Sequence, residues 1–168
     1  MPNLSRRFVL GGLAALAAHP AQAEPDVWPA ADMIDQTGAV FQLGSSAQRL
    51  TVVHVWAHWC APCLAELPSL AALAGRLPAS RTGVLLVSHP QNWAADVAYA
   101  QRKQLPFRLA TLAPWAPAWV RPALFEEHAG RYTVPRTLLF RRADRSMQTA
   151  VLKWDSPAAL QRLGELAG

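Results

Sequence analysis

The tetrapeptide Cys60-Ala61-Pro62-Cys63 constrains the fold of this chain more than any other feature of its sequence. It closely follows a β-branched apolar run over residues 50–56, which is typical of a strand buried on both faces. Beyond the motif, leucines recur with helical spacing as far as Leu77, so the motif should open a helix. Pro68 interrupts this pattern, and we expect it to kink the helix. The two cysteines are therefore placed at a junction between a buried strand and the first turn of a helix.

Strands and helices alternate along the rest of the sequence. A Gly-containing turn at residues 36–38 predicts a hairpin over residues 32–43. Ser156 is the expected N-cap of a last helix, with Pro157 at its first position. The remaining predictions are strands over 84–88, 107–112, 137–140 and 149–154, helices over 93–104 and 124–129, and an irregular loop over 113–122. This order predicts an α/β fold with a central mixed sheet, helices on both faces and an N-terminal hairpin extension.

Residues 1–23 have the features of an export signal and are left out of the predicted fold. Arg6 and Arg7 precede an apolar stretch that is too short to span a bilayer comfortably. Ala21-Gln22-Ala23 then supplies a small-x-small cleavage site before Glu24. The run of residues 5–10 also resembles the twin-arginine export motif. An ordinary Sec signal and an uncleaved leader that holds the chain at the membrane are the alternatives. The predicted mature chain, residues 24–168, suits one domain in the periplasm.

The charge of the sequence excludes one class of partner. The chain has 16 Lys and Arg against 11 Asp and Glu, a formal net charge of +5. Without the two leader arginines, the net charge falls to about +3. The basic residues form no lysine-rich cluster, and we expect Arg141, Arg142 and Arg145 at a solvated turn. Nucleic acid is therefore not an expected partner.

The only two cysteines of the chain are both in the motif, which favours chemistry over a structural disulfide. Such a bridge closes a very small loop and restrains the unfolded chain little. At a helix start, backbone N–H groups stabilise a thiolate, so we expect a lowered pKa at Cys60. Cys60 would attack a disulfide, and the deeper Cys63 would resolve the mixed disulfide. A zinc site would need two further ligands with suitable spacing, which the sequence lacks.

Residues 55–68, VWAHWCAPCLAELP, resemble the active-site segment of thioredoxin-fold proteins. They are most similar to that of the TlpA/ResA/CcmG-like periplasmic thiol–disulfide reductases, and the order of elements extends the resemblance over residues 32–166. It implies a thioredoxin-like fold and an enzyme with a redox-active disulfide and no other cofactor. The implied substrates are oxidised cysteine pairs of exported proteins, for example in cytochrome c maturation or copper-site assembly. The implied electron donor is a membrane protein of the DsbD/CcdA type.

The resemblance also assigns roles to residues outside the two cysteines. Val134-Pro135 matches the cis-proline loop, whose backbone before the proline pairs with substrate. Glu66 matches a carboxylate that exchanges a proton with Cys63, although an exposed helix Glu is the plain alternative. The predicted catalytic residues are thus Cys60, Cys63, Glu66 and Pro135, and the predicted substrate contacts are Trp59, Ala61, Pro62 and Val134. Because Ala61-Pro62 lacks the His that strongly oxidising relatives usually carry, the motif favours reduction.

Two histidines depart from the family pattern. His54 stands where thioredoxins have a buried Asp and TlpA-like proteins commonly an Asn. It either shares proton transfer with Glu66 or is a core residue bonded to the backbone. His58 is expected to face solvent beside Cys60. Three other functions stay open: disulfide oxidation or isomerisation on the same fold, copper delivery through His58 and the two cysteines, and a structural domain with an inert disulfide.

Overall fold

The computed structural model describes residues 31–168, so the predicted export signal lies outside the described residues. The elements, in chain order, are β1 (Asp32–Asp35), β2 (Val40–Gln42), β3 (Leu50–Trp56), α1 (Ala61–Ala74), β4 (Thr82–Ser88), α2 (Trp93–Lys103), β5 (Arg108–Leu112), α3 (Val120–Phe125), β6 (Arg136–Arg141), β7 (Ser146–Ala150) and α4 (Pro157–Ala167). Within this range no helix is long and apolar enough to cross a membrane.

The seven strands of the described chain form one mixed sheet in the order β2-β1-β5-β4-β3-β6-β7. Strands β3, β4 and β5 are parallel, so their carboxyl ends meet at one edge of the sheet. Strand β6 runs antiparallel to β3 and starts at that same edge, where Arg136 lies opposite Val55. The segments before α1, after β4, after β5 and before β6 therefore converge there. The predicted mixed sheet and its N-terminal hairpin, β1 with β2, are confirmed.

The core has two parts, one on each face of the sheet. Side chains of α1, α2 and α4 pack on one face, and those of α3 pack on the other. All seven residues of β3 are buried, which explains why five of them are apolar. Alternate β3 side chains point to opposite faces, so Val52 and Trp56 face α1 whereas Val53 and Val55 face α3. His54 points to the α1 face with Val52 and Trp56.

Helix α1 starts at the cysteine motif, as its sequence requires. Cys60 is the N-cap residue, and Pro62 lies in the first turn, where a missing N–H costs no helical hydrogen bond. The helix continues through Pro68 to Ala74 and buries Leu67, Leu70 and Leu73 against the sheet. The apolar stripe of α1 thus fixes its first turn at the carboxyl edge of β3.

Two elements begin and end at residues that differ from the predicted ones. Helix α3 begins at Val120, inside the predicted loop, because Pro122 occupies its third position, where no N–H donor is needed. It ends at Phe125, so the prediction of a helix over 124–129 was wrong. Strand β7 covers Ser146–Ala150 and not 149–154. The chain leaves the sheet after Ala150, and Trp154 turns inward, where it is buried.

The turn between β1 and β2 is built around a buried carboxylate. Asp35 accepts hydrogen bonds from the backbone and hydroxyl of Thr37 and from the backbone of Ala39. Its other oxygen accepts from Arg108 on β5 at 2.7 Å. Burial opposes ionisation of this carboxyl, but the hydrogen bonds from Thr37 and Arg108 outweigh burial and lower its pKa to about 2.

This depressed pKa predicts an acid-dependent loss of stability. The unfolded chain protonates Asp35 near pH 4, whereas the folded chain keeps it ionised down to about pH 2. The stabilisation is therefore complete above pH 4 and lost as the pH falls to 2, by about 2 kcal/mol. Urea unfolding at pH 4.5 and pH 2 should show that wild type loses this much more than Asp35→Asn. Equal losses in both proteins would contradict the assignment.

Candidate active site

The two cysteines form a disulfide whose members differ in access to solvent. Their Cα atoms are 5.2 Å apart. Cys60 is 5% exposed, whereas Cys63 is completely buried. The backbone N–H of Cys63 donates to Cys60 Sγ at 3.2 Å. Only Cys60 can be reached by a second protein without movement of α1, and a sulfur charge would develop at the N-terminus of that helix.

The residues predicted to contact substrate lie around Cys60. Ala61 and Pro62 are exposed, and Trp59 is 54% exposed. The Val134–Pro135 peptide bond is cis. Val134 packs against the core cluster that contains both cysteines, and Pro135 directly precedes β6. The structure therefore brings Trp59, the Ala61-Pro62 dipeptide and the cis-proline loop together at the carboxyl edge of β3.

Aromatic contacts connect Trp59 with the segment before the cis-proline. The ring of Tyr132 meets Trp59 edge-on at 6.1 Å and stacks on His89 at 4.5 Å. The hydroxyl of Tyr132 accepts a hydrogen bond from the Asn92 side chain. Burial of Tyr132, with the negative charge of Asp96, raises the pKa of its phenol. Sequence reasoning missed this support because His89, Asn92 and Tyr132 belong to no motif.

His58 is held by a buried carboxylate, which the sequence did not predict. Asp96, in the first turn of α2, is completely buried. Its Oδ1 accepts the backbone N–H of His58 at 2.8 Å and lies 2.6 Å from the ring Nδ1. His58 is thus part-buried and fixed, where an open solvent-facing position was expected. Asp96 thereby ties α2 to the segment that leads into Cys60.

Glu66, His54, Thr137 and Trp154 meet beneath the first two turns of α1. Trp154 Nε1 donates to Glu66 Oε2 at 3.1 Å. The same oxygen is 3.7 Å from Nε2 of His54. Nδ1 of His54 lies 3.1 Å from the hydroxyl of Thr137, so His54 is a core residue that bonds a side chain and not, as one of the two alternatives predicted, the backbone. The register of β3 with β6 places His54 opposite Thr137.

Burial controls the charge of His54. The ring is fully enclosed, and desolvation lowers its pKa to about 4. The imidazole is therefore neutral at neutral pH. Glu66, by contrast, has a side chain that is 36% exposed. His54, a buried neutral base, thus lies next to Glu66, a carboxylate with access to water.

No third metal ligand accompanies the cysteines in the described part of the chain. Between residues 31 and 168, no three His, Cys, Asp or Glu side chains are grouped so that they could hold a metal ion. The ring of His58, which the copper alternative requires, contacts Asp96.

Solved structures share this arrangement of elements. The thioredoxin domain of a thiol-disulfide oxidoreductase from Bacteroides vulgatus matches with a TM-score of 0.65 and 14% identity, over 84% of this chain and 96% of that one. The described residues of the present chain therefore have a thioredoxin-like fold. A thiol:disulfide interchange protein from Chlorobium tepidum matches at 0.61 and 17% identity, over 88% and 99%. An exposed lipoprotein thioredoxin from Streptococcus pneumoniae matches at 0.59 and 18%, over 80% and 97%.

Sequence comparison gives no corresponding match. No protein-family model matches the chain, and no curated protein matches it in sequence. The similarity to the solved structures, at 20% identity or less in those described above, establishes the thioredoxin-like fold.

The depressed pKa of His54 predicts a pH-dependent stability. Between pH 6.5 and about 4 the unfolded chain binds a proton at this residue and the folded chain does not. Stability is therefore complete above pH 6.5 and falls by about 3 kcal/mol as the pH drops to 4. Denaturant unfolding at the two pH values should show a smaller loss in His54→Gln. His128→Gln, at an exposed position, is the control and should behave as wild type. If the stability of His54→Gln falls between the two pH values by as much as that of wild type, the assignment is contradicted.

Proposed function

We propose that this chain is a thiol–disulfide oxidoreductase that reduces disulfides of proteins in the periplasm. The observation that carries the proposal is the asymmetry of the dithiol at the N-terminus of α1. Cys60 keeps 5% of its surface exposed and its sulfur already accepts the Cys63 N–H, whereas Cys63 is completely buried. A structural disulfide needs neither feature, but a pair that attacks and then resolves needs both.

The first step of the proposed reaction is attack on the substrate. The Cys60 thiolate attacks one sulfur of a substrate disulfide, and the substrate S–S bond breaks as the Cys60–substrate bond forms. The released substrate thiolate takes a proton from water. The Cys63 N–H and the α1 dipole stabilise the thiolate of Cys60 before the attack.

The second step releases the product. Cys63 loses its proton to Glu66, and its thiolate attacks Cys60 Sγ. The Cys60–substrate bond breaks, the second substrate thiolate leaves and the Cys60–Cys63 disulfide forms. The substrate has then gained two electrons and the chain has lost two. A dithiol donor must return them, and we propose a membrane protein of the DsbD/CcdA type.

Substrate binding would use the surface around Cys60. The exposed ring of Trp59 offers an apolar contact beside the sulfur. We propose that the backbone of Val134 pairs with an extended substrate segment next to Pro135, as in the TlpA/ResA/CcmG-like proteins. The predicted export signal, the active-site segment and the exposed lipoprotein thioredoxin of similar fold support a role outside the cytoplasm, which we propose to be in the periplasm. Oxidised cysteine pairs of apocytochrome c or copper-site proteins are the proposed substrates.

The asymmetry predicts which cysteine forms the mixed disulfide. Reduced Cys63→Ser, mixed with oxidised insulin, should accumulate a mixed disulfide through Cys60, because the resolving thiol is absent. Cys60→Ser is the matched control and should accumulate little, because Cys63 is completely buried. Non-reducing electrophoresis followed by mass spectrometry identifies the linked cysteine. Trapping through Cys63, or in neither variant, would contradict the proposed function.

A further inference from the structure

One ring nitrogen of buried His54 is bonded, and the other faces a carboxylate without a hydrogen bond. Nδ1 lies 3.1 Å from the hydroxyl oxygen of Thr137. Nε2 is buried, has no hydrogen-bond partner and lies 3.7 Å from Glu66 Oε2. Buried polar atoms are nearly always satisfied in folded proteins. Here the unsatisfied nitrogen faces a carboxylate oxygen just beyond hydrogen-bond distance, which is the geometry of a group whose partner can change.

The chemistry of the three groups allows two arrangements. A neutral imidazole has one N–H donor and one acceptor nitrogen, and a threonine hydroxyl both donates and accepts. In the first arrangement, Thr137 donates to Nδ1, and the N–H at Nε2 points to ionised Glu66. In the second, the N–H is at Nδ1 and donates to Thr137, and Nε2 accepts from protonated Glu66. The two arrangements differ by one proton, which is carried on Glu66.

We propose that His54 and Thr137 are positioning residues that form a tautomer switch, which lets Glu66 take up and release a proton while the imidazole stays neutral. The inference rests on the proposed function, since the proton is the one that Cys63 loses before it attacks Cys60. The Cys63 S–H bond breaks and an O–H bond forms on Glu66. In His54 the N–H bond at Nε2 breaks and its proton leaves to water by way of Glu66. An N–H bond forms at Nδ1 with a proton that the Thr137 hydroxyl relays from water in the cleft that both Thr137 and Glu66 line, so neither residue changes its net charge.

The surroundings of His54 favour a switch between neutral forms. The ring is enclosed, so a positive charge there would be poorly solvated, and burial lowers its pKa to about 4. Trp154 meets the ring edge-on at 5.8 Å and donates to the same Glu66 oxygen. That oxygen is thus fixed where it can meet Nε2 after a shift of less than 1 Å.

Glu66 also has the access to solvent that proton release requires. It lines two surface clefts, one on each side. The charged residues of the first cleft are Lys153 and Asp155, and those of the second are Glu126 and Arg136. A positive and a negative residue therefore flank Glu66 on either side, and the carboxylate can pass its proton to water.

The direct test is the tautomer of His54, observed by ¹⁵N NMR in the oxidised protein between pH 8 and pH 4.5. We expect the N–H to move from Nε2 to Nδ1 in step with the ¹³C shift of the Glu66 carboxyl. In Glu66→Gln the tautomer should stay constant. One constant tautomer in wild type, or formation of imidazolium in step with that ¹³C shift, would overturn the proposal.

A kinetic test uses two isosteric variants of buried threonines. Thr137→Val removes the hydroxyl that bonds His54, whereas Thr51→Val removes an unpartnered buried hydroxyl from the opposite face of β3. Resolution of a Cys60–substrate mixed disulfide should slow about ten-fold in Thr137→Val near neutral pH. This is less than the slowing expected when a proton-transfer group itself is removed, because Thr137 acts only through His54. The deficit should disappear at high pH, where Cys63 loses its proton to hydroxide. Thr51→Val should keep the wild-type rates.

The outcomes separate this inference from the proposed function. If wild type reduces insulin but Thr137→Val and Thr51→Val share its pH profile, the tautomer switch is wrong and the proposed function stands. If wild type does not reduce insulin and Cys63→Ser traps no mixed disulfide with it, both are wrong.

Discussion

The hydrogen bond from the Cys63 amide to Cys60 Sγ places an N–H donor at the sulfur of Cys60, and it depends on how β3 and α1 are joined. Strand β3 is buried along its whole length, and α1 buries its leucines on the same sheet. Strand β3 ends at Trp56 and α1 begins at Ala61, so only a short segment joins them at the carboxyl edge of the sheet. Cys60 is the last residue of that segment and is the N-cap of α1. The same geometry leaves Cys60 5% exposed and buries Cys63 completely. The small exposure of Cys60 and the hydrogen bond to its sulfur thus have one structural cause.

The parts of the fold that local sequence determines could be predicted. The β-branched run of β3, the leucine stripe of α1 and the Ser156-Pro157 start of α4 each specify their element locally, and the structure has them where expected. The predicted limits of α3 were wrong because the prediction placed Pro122 in a loop, although the first turn of a helix tolerates proline. Those of β7 were wrong because they depend on a distant contact. Trp154 leaves the strand register to donate to Glu66, 88 residues earlier in the sequence. No local pattern signals such a contact.

At the site, too, residues with a local sequence signal could be predicted and residues that depend on distant contacts could not. The motif and the family resemblance pointed to the cysteines, Glu66 and the Val134-Pro135 loop. Asp96 and Thr137 were not found, since each acts through a partner from another element. The β3–β6 register places Thr137 opposite His54, and the packing of α2 places Asp96 under His58. A single sequence shows neither pairing, and each fixes a histidine by which this chain departs from the TlpA-like pattern that its active-site segment resembles.

The reduction potential of the Cys60–Cys63 disulfide tests the central claim most directly. It is measured by equilibrating the protein with defined ratios of reduced and oxidised dithiothreitol and counting free thiols at each ratio. A reductase should have a potential near that of thioredoxin, about −270 mV, so that electrons flow to substrate disulfides. A potential near that of DsbA, about −120 mV, would contradict the account and make the chain an oxidant.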